Sequence, residues 1–279
     1  MLAAVAQLTS GVHVLDNLAV ATRLVARAAH AGAAAVFLPE ATDFIAPAAD
    51  VARLTRSPEC AAFVRGMRAA AQTHRVWVSV GVHEPSDDDP ARAFNTQLLI
   101  DAAGEIRSSY RKLHLFDVAL QGGPVILESR TTVPGARLEP PAETPLGRMG
   151  LLTCYDMRFP EPALALRAQG AQLLTYPSAF AVRTGAAHWD VLLRARAVET
   201  QCWVLAAAQV GAHPGSTRVS WGHALVVDPW GSVVAACSDM PPFAPTFCLA
   251  DIDLASLAAV RAEMPLWEQR RTDVYAPLL

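Results

Sequence analysis

Short apolar runs that stop abruptly on a polar residue alternate along this chain with longer stretches whose apolar residues recur every three or four positions. Such a sequence of runs predicts strands and helices in alternation. Residues 1–7 read as a first strand. The spacing of Leu18, Ala21, Val25 and Ala28 then predicts a helix to about His30, capped by Asp16 and ended by Gly32. Residues 34–38 form a continuous apolar run closed by Pro39-Glu40, the pattern of a strand buried on both faces. Glu40 therefore stands at the carboxyl end of the second strand, where open α/β sheets place their ligands.

Farther along, Ser57-Pro58-Glu59 opens a second helix to about Thr73, and residues 76–82 form a third strand. Residues 94–100 and 105–110 pair as a hairpin that hands the chain to Lys112. Periodicity is weak over 121–145, where Gly122-Gly123-Pro124, Glu128 and Pro134-Gly135 punctuate a long loop. Residues 149–153 deliver Cys154 to a polar turn, and Pro160-Glu161 opens the next helix. Residues 172–176 are a buried strand, 186–199 a helix, 203–208 a strand, and 223–227 with 232–236 a second hairpin. Residues 246–251 close the sheet, and 254–261 are a short helix before the tail. With neither a linker nor a short-period repeat, the expectation is a single domain over 1–279, with two sheets and helices outside them.

Composition narrows the function. The chain has 279 residues, 52% hydrophobic and 18% charged, with a formal charge of -3, and its Lys and Arg residues are scattered among acids. That leaves no basic field for a nucleic acid. Five widely spaced cysteines without a CxxC pair point to reduced thiols rather than a zinc site or disulfide frame. The N-terminal residues lack the pattern of a signal peptide, and no apolar stretch reaches membrane length. The expectation is a cytoplasmic protein that binds neither nucleic acid nor membrane.

Three polar residues stand at the ends of apolar strands: Glu40, Lys112 and Cys154. Each alone fits an ordinary turn acid, a surface lysine or a small buried thiol. Together they match the requirements of amide hydrolysis: a sulfur to attack the acyl carbon, a carboxylate to move its proton, and an ammonium to hold the oxyanion. The backbone N–H groups at the turn add partial positive charge, which favours the thiolate and can also hold an oxyanion.

The segments Phe37-Leu38-Pro39-Glu40, Tyr110-Arg111-Lys112-Leu113-His114-Leu115-Phe116-Asp117 and Leu152-Thr153-Cys154-Tyr155-Asp156-Met157-Arg158-Phe159-Pro160-Glu161 resemble the three signature segments of the nitrilase (carbon-nitrogen hydrolase) superfamily, in its order and spacing. The resemblance runs over essentially the whole chain. Segments 175–180, 187–197 and 222–231 look most like the branch acting on deaminated glutathione, with omega-amidase a close neighbour. It implies a four-layer α-β-β-α sandwich of the α/β class and hydrolysis through a cysteine thioester, releasing ammonia and then the acid, with no metal and no organic cofactor. By the match, Cys154 is the nucleophile, Glu40 the general base and Lys112 the electrostatic stabiliser, with the Tyr155 N–H completing the oxyanion hole. Glu128 takes the place of a second family glutamate that orients the amide nitrogen or Lys112. The family also implies a homodimer or larger homo-oligomer.

A small carboxylated amide needs partners for its carboxylates, and Arg158 and Thr184 are the candidates, a guanidinium fork and a hydroxyl near a helix start. The alternatives are an Arg158 pair with Asp156 or Glu161, and Thr184 as a plain helix cap. His114, His188 and His223 read as hydrogen-bonded structural residues, Trp189 and Trp230 as packing residues, and Cys60, Cys202, Cys237 and Cys248 as bystanders. Competing functions are an omega-amidase acting on 2-oxoglutaramate-like amides, an N-carbamoyl amino acid hydrolase, and a binding protein without turnover.

Overall fold

Alternation along the first strand, Leu2–Leu8, sets the layering: Ala3 and Val5 pack into one apolar core, whereas Ala4, Ala6 and Leu8 pack into another. The next strand, Ala35–Phe37, repeats this division, with Ala35 and Phe37 on the first side and Val36 on the second. Successive strand residues point to opposite faces, so a strand apolar on both must be covered on both. The structure, a computed structural model, describes residues 1–119 and 125–275.

Among these residues the larger sheet has nine strands. Its path runs Val219–Trp221, Ala208–Ala212, Leu2–Leu8, Ala35–Phe37, Trp77–Pro85, Ala93–Ile100, Ile106–Arg111. Thr246–Asp251 lies antiparallel to the first strand, and Thr132–Val133 joins Ala93–Ile100 in parallel. The smaller sheet has six strands, in the order Val233–Ala236, Leu225–Val227, Trp203–Ala206, Leu173–Thr175, Gly147–Leu151, Ala142–Thr144. The helices are α1 (Val14–His30), α2 (Ala48–Thr55), α3 (Pro58–His74), α4 (Pro160–Ala168), α5 (Val182–Thr200) and α6 (Leu254–Glu263). α1 and α3 pack on the larger sheet through Leu24, Val25, Phe63 and Met67, and α4 and α5 pack on the smaller one through Leu166, Trp189 and Leu193. The layers are thus α, β, β, α, as expected.

Several local expectations are corrected. Asp16 lies in the first turn of α1, whose cap position is His13, while Gly32 just beyond its end has the positive φ that a helix stop requires. Ser57 caps α3 as expected, accepting from the Cys60 N–H at 3.4 Å. α2 was not foreseen; its eight residues give periodicity too little length to register. The run 203–208 is not one strand. Trp203–Ala206 belongs to the smaller sheet and Ala208–Ala212 to the larger, so the chain crosses between sheets at Ala207, and both pieces are equally apolar. α5 begins at Val182, placing Thr184 inside its first turn. Trp230 is 58% exposed and fills no core position. Gly122-Gly123-Pro124 lies outside the described residues. No helix among the described residues is long and apolar enough to cross a membrane.

Candidate active site

The carboxyl ends of four strand segments converge on one cavity of about 370 Å³. Its lining includes Glu40, Lys112, Cys154 and Glu128, together with Asn95, Ala179, Thr184 and Arg218. Glu40 reaches it from the turn after Ala35–Phe37. That turn lies directly against Gly81 of the neighbouring strand, where a Cβ would stand 2.6 Å from the Glu40 Cα. Only glycine allows this approach. Lys112 follows the strand Ile106–Arg111 and is held at its backbone by a 2.9 Å hydrogen bond to the Asn95 carbonyl. Glu128 opens a 3-10 turn, Glu128–Arg130, and accepts the Phe116 N–H at 2.7 Å.

Cys154 begins the 3-10 turn Cys154–Arg158 with φ at 48°, a left-handed conformation unusual for a residue bearing a Cβ. Backbone strain of this kind costs about 1–3 kcal/mol and persists where neighbours enforce it. Asp156 is the enforcing group. Its carboxylate accepts the Thr153 N–H at 2.9 Å, the Tyr110 hydroxyl at 2.7 Å, and the His114 N–H at 3.0 Å, and its second contact with His114 is to Nδ1 at 2.8 Å. One buried carboxylate thereby ties the Cys154 turn to both sides of Lys112. Tyr155 is second in the turn, where N–H groups find no partner within the turn itself.

Glu40 is the junction. Its Oε1 accepts Lys112 Nζ at 2.9 Å and Asn95 Nδ2 at 2.7 Å, and its Oε2 accepts the Ala179 N–H at 2.7 Å. Glu128 meets Lys112 Nζ at 3.1 and 2.9 Å, and Asn95 Nδ2 at 3.1 Å. Cys154 faces both the Glu40 carboxylate and the Ala179 N–H, and both act on its thiol. Lys112 is 2% exposed and Glu40 4%, so these charges interact in a weakly screened setting.

Burial alone would raise the Glu40 carboxyl, but the Lys112 and Arg218 charges and the hydrogen bonds from Lys112 and Cys154 hold it at about 2. Burial likewise opposes the Lys112 charge, and the Glu128 and Glu40 carboxylates overcome it, placing the ammonium well above its ordinary range. The thiol goes the other way. Burial first, and then the Glu40 charge, push Cys154 up to about 12 against the pull of Lys112 and the Ala179 N–H. This corrects the expectation of a thiolate favoured by the turn: the resting pair is a neutral thiol beside an ionised carboxylate. Such a pair can transfer a proton as sulfur attacks.

Not every candidate joins the cluster. Thr184 lines the cavity, with its hydroxyl donating to the Ala181 carbonyl at 3.2 Å. Arg158 does not line it. Its Nη1 meets His188 Nδ1 at 3.0 Å, its Nε is buried without a partner, and its guanidinium lies over the rings of Tyr155 and Phe180, which do line the cavity. Among the described residues it pairs with neither Asp156 nor Glu161. His114 and His223 are hydrogen-bonded to Asp156 and to the Trp221 carbonyl. Sequence reasoning missed Asn95, Ala179, His83 and Arg218. Asn95 is the third residue of the strand Ala93–Ile100 and is followed by Thr96 and Gln97, so its polarity did not set it apart from its neighbours.

Comparison with known proteins agrees with this geometry. Residues 2–262 match the family model for carbon-nitrogen hydrolases. The deaminated glutathione amidase of Rattus norvegicus is 46% identical over 281 residues, covering 100% of this chain and 84% of that protein. The crystal structure of the Caenorhabditis elegans NitFhit protein superposes with a TM-score of 0.92 at 43% identity, over 99% of this chain and 66% of that one. A mutant amidase from Nesterenkonia sp. AN1, carrying acrylamide added to its active-site cysteine, superposes with a TM-score of 0.78 at 28% identity over 95% of this chain and 98% of that one. The chain belongs to the carbon-nitrogen hydrolase family, within the nitrilase superfamily, and is a hydrolase of amide carbon–nitrogen bonds.

Proposed function

We infer that the protein cleaves deaminated glutathione through a cysteine thioester, as a metabolite-repair amidase in which residues 1–279 act as one catalytic domain. The observation that carries the chemistry is the Glu40 carboxylate, hydrogen-bonded at once to Lys112 and to the Ala179 N–H and set beside the Cys154 thiol, on which its charge acts. The likeness to the rat deaminated glutathione amidase carries the substrate.

In this reading, Cys154 Sγ attacks the amide carbonyl while Glu40 takes the thiol proton. Lys112 Nζ and the Tyr155 N–H hold the oxyanion. Protonated Glu40 then gives its proton to the departing nitrogen, leaving a thioester. Glu40 next takes a proton from water, hydroxide adds to the thioester, and the thiol and free acid are restored. Glu128 keeps Lys112 charged and aimed, and orients the amide nitrogen. Thr184 contacts the substrate directly, and Arg158 lends its charge from behind Tyr155 and Phe180.

The leaving group depends on the substrate. Ammonia departs from a primary amide such as 2-oxoglutaramate. In deaminated glutathione the scissile carbonyl is bonded to the cysteine nitrogen, so the Cys–Gly dipeptide departs instead, and both substrates pass through the same 2-oxoglutaryl thioester. The test is release of 2-oxoglutarate from deaminated glutathione and from 2-oxoglutaramate, in parallel with ammonia release from an N-carbamoyl amino acid, using Cys154→Ala as the blank. Preference for deaminated glutathione is expected. Preference for either other substrate would replace the substrate assignment, and silence on all three would reopen the choice between a different amide and a non-catalytic protein.

A further inference from the structure

The 2-oxoglutaryl group carries a carboxylate at the end remote from the scissile bond, and an anion drawn into a partly closed cavity needs a partner. Among the described residues, four potentially cationic side chains line that cavity: His83, Lys112, Arg130 and Arg218. Lys112 is already held by two carboxylates. His83 Nδ1 is committed to the buried Asp43 carboxylate at 2.9 Å. Arg130 and Arg218 form no ion pair among the described residues.

These two arginines differ in how they are held. Arg130 ends the 3-10 turn Glu128–Arg130 and its guanidinium forms no hydrogen bond among the described residues. Arg218 instead precedes the strand Val219–Trp221 in a loop pinned at several points. His213 spans it, with Nδ1 2.8 Å from the Ser10 carbonyl and Nε2 2.7 Å from the Ser220 hydroxyl. The Pro214 carbonyl accepts the Val12 N–H at 3.3 Å, and the Arg218 carbonyl accepts the His213 N–H at 3.1 Å. The guanidinium is then fixed by donating from Nη2 to the Ala179 carbonyl. Ala179 is the residue whose N–H holds Glu40, so Arg218 stands one residue from the reacting groups. Its charge is felt by the Glu40 carboxyl.

A guanidinium tethered by one nitrogen retains free N–H groups in a planar fork suited to a carboxylate. We propose that Arg218 is the substrate-binding residue that receives the carboxylate of the acyl group, making the site selective for amides whose acyl chain ends in a carboxylate. This rests on the reading of the cavity as the site of a 2-oxoglutaryl amidase.

The experiment compares glutaramate with its methyl ester, a pair of similar shape differing in charge, as substrates of the wild type, Arg218→Met, Arg218→Lys and Arg130→Met. For Arg218→Met, kcat/KM on glutaramate should fall about 30-fold more than on the ester, mainly through KM, since a charged hydrogen-bonded contact is lost. Arg218→Lys should recover part of that ratio. Equal losses on both substrates would make Arg218 merely a brace for Ala179 and overturn the proposal, as would no loss on either. A larger change of ratio in Arg130→Met than in Arg218→Met would assign the role to Arg130. Wild-type turnover of glutaramate without turnover of deaminated glutathione would sink the substrate reading while leaving Arg218 to be judged by the same ratio. Should no probe turn over, calorimetry of glutarate binding to Cys154→Ala, with and without Arg218→Met, decides: weaker binding in the double variant supports the proposal, and equal affinities overturn it.

Discussion

Two buried carboxylates stand on either side of Cys154, and their partners could hardly differ more. Asp156 is 0% exposed and takes its hydrogen bonds from two backbone N–H groups, a tyrosine hydroxyl and a histidine ring. Its partners belong to the fixed framework. Glu40 is 4% exposed, shares its oxygens among a lysine ammonium, an asparagine and one backbone N–H, and faces the Cys154 thiol. Of these, the thiol has a proton to give. A carboxylate surrounded by framework donors fixes geometry, whereas one that faces a thiol can do chemistry.

The largest effects should separate the two. Cys154→Ala is expected to abolish turnover, and Glu40→Gln to lower kcat by about 10³-fold or more while still binding substrate, since general-base catalysis contributes up to about 10⁴. Single-turnover assays with a radiolabelled acyl group would show no trapped thioester in either variant. Turnover at the wild-type rate in Glu40→Gln would remove the proton-transfer role. Asp156→Asn, by contrast, should lower unfolding stability in urea by about 2–3 kcal/mol, since an amide sets an N–H against donors that had faced a charge. If Asp156→Asn were as stable as the wild type, the framework role would fall.

Asn95 tests the border between the two kinds of group. Its Nδ2 bridges Glu40 and Glu128, touching charge without carrying any. Asn95→Ala should reduce kcat/KM by about 10-fold, the worth of one hydrogen bond to a charged group. A loss as large as that of Glu40→Gln would place Asn95 among the reacting groups instead.

How far these roles were legible in the sequence follows the same division. Glu40 and Cys154 stood out because each ends an apolar run, and Lys112 because it follows the second strand of a hairpin; a strand end is a place that sequence pattern marks. The sandwich was legible for a related reason: continuous apolar strands such as 34–38 demand cover on both faces. Asn95 left little mark, since it lies within a strand whose register brings it against Glu40 only after folding. Ala179 contributes a backbone N–H, which no side chain announces. Arg218 was hidden in a loop, where no apolar periodicity marks a residue that the pairing of Ala208–Ala212 with Val219–Trp221 brings to the cavity. The crossing at Ala207 was invisible because the apolar run does not change where the sheet does. The protonation state of Cys154 was misjudged because burial and the Glu40 charge outweigh the turn dipole, and burial is a property of the packed chain.

The smallest expected effect is an absence of change with pH. With Glu40 held at about 2 and Cys154 pushed up to about 12, the competent pair of carboxylate and thiol persists across the whole neutral range. A profile of kcat/KM on the methyl ester of glutaramate, whose own charge does not titrate, should therefore be flat from about pH 6 to 9. A thiolate–imidazolium type of site would instead show a rise near neutrality. The Glu40 carboxyl lies below its ordinary 4.5, so its contribution to stability is complete above 4.5 and is lost as pH falls toward about 2. Arg218→Met removes one of the charges that hold Glu40 down, so its acid limb should move upward, toward neutrality, because a carboxyl freed from a neighbouring cation binds its proton more readily. An acid limb unmoved in that variant, or shifted downward, would show that the guanidinium does not act on Glu40.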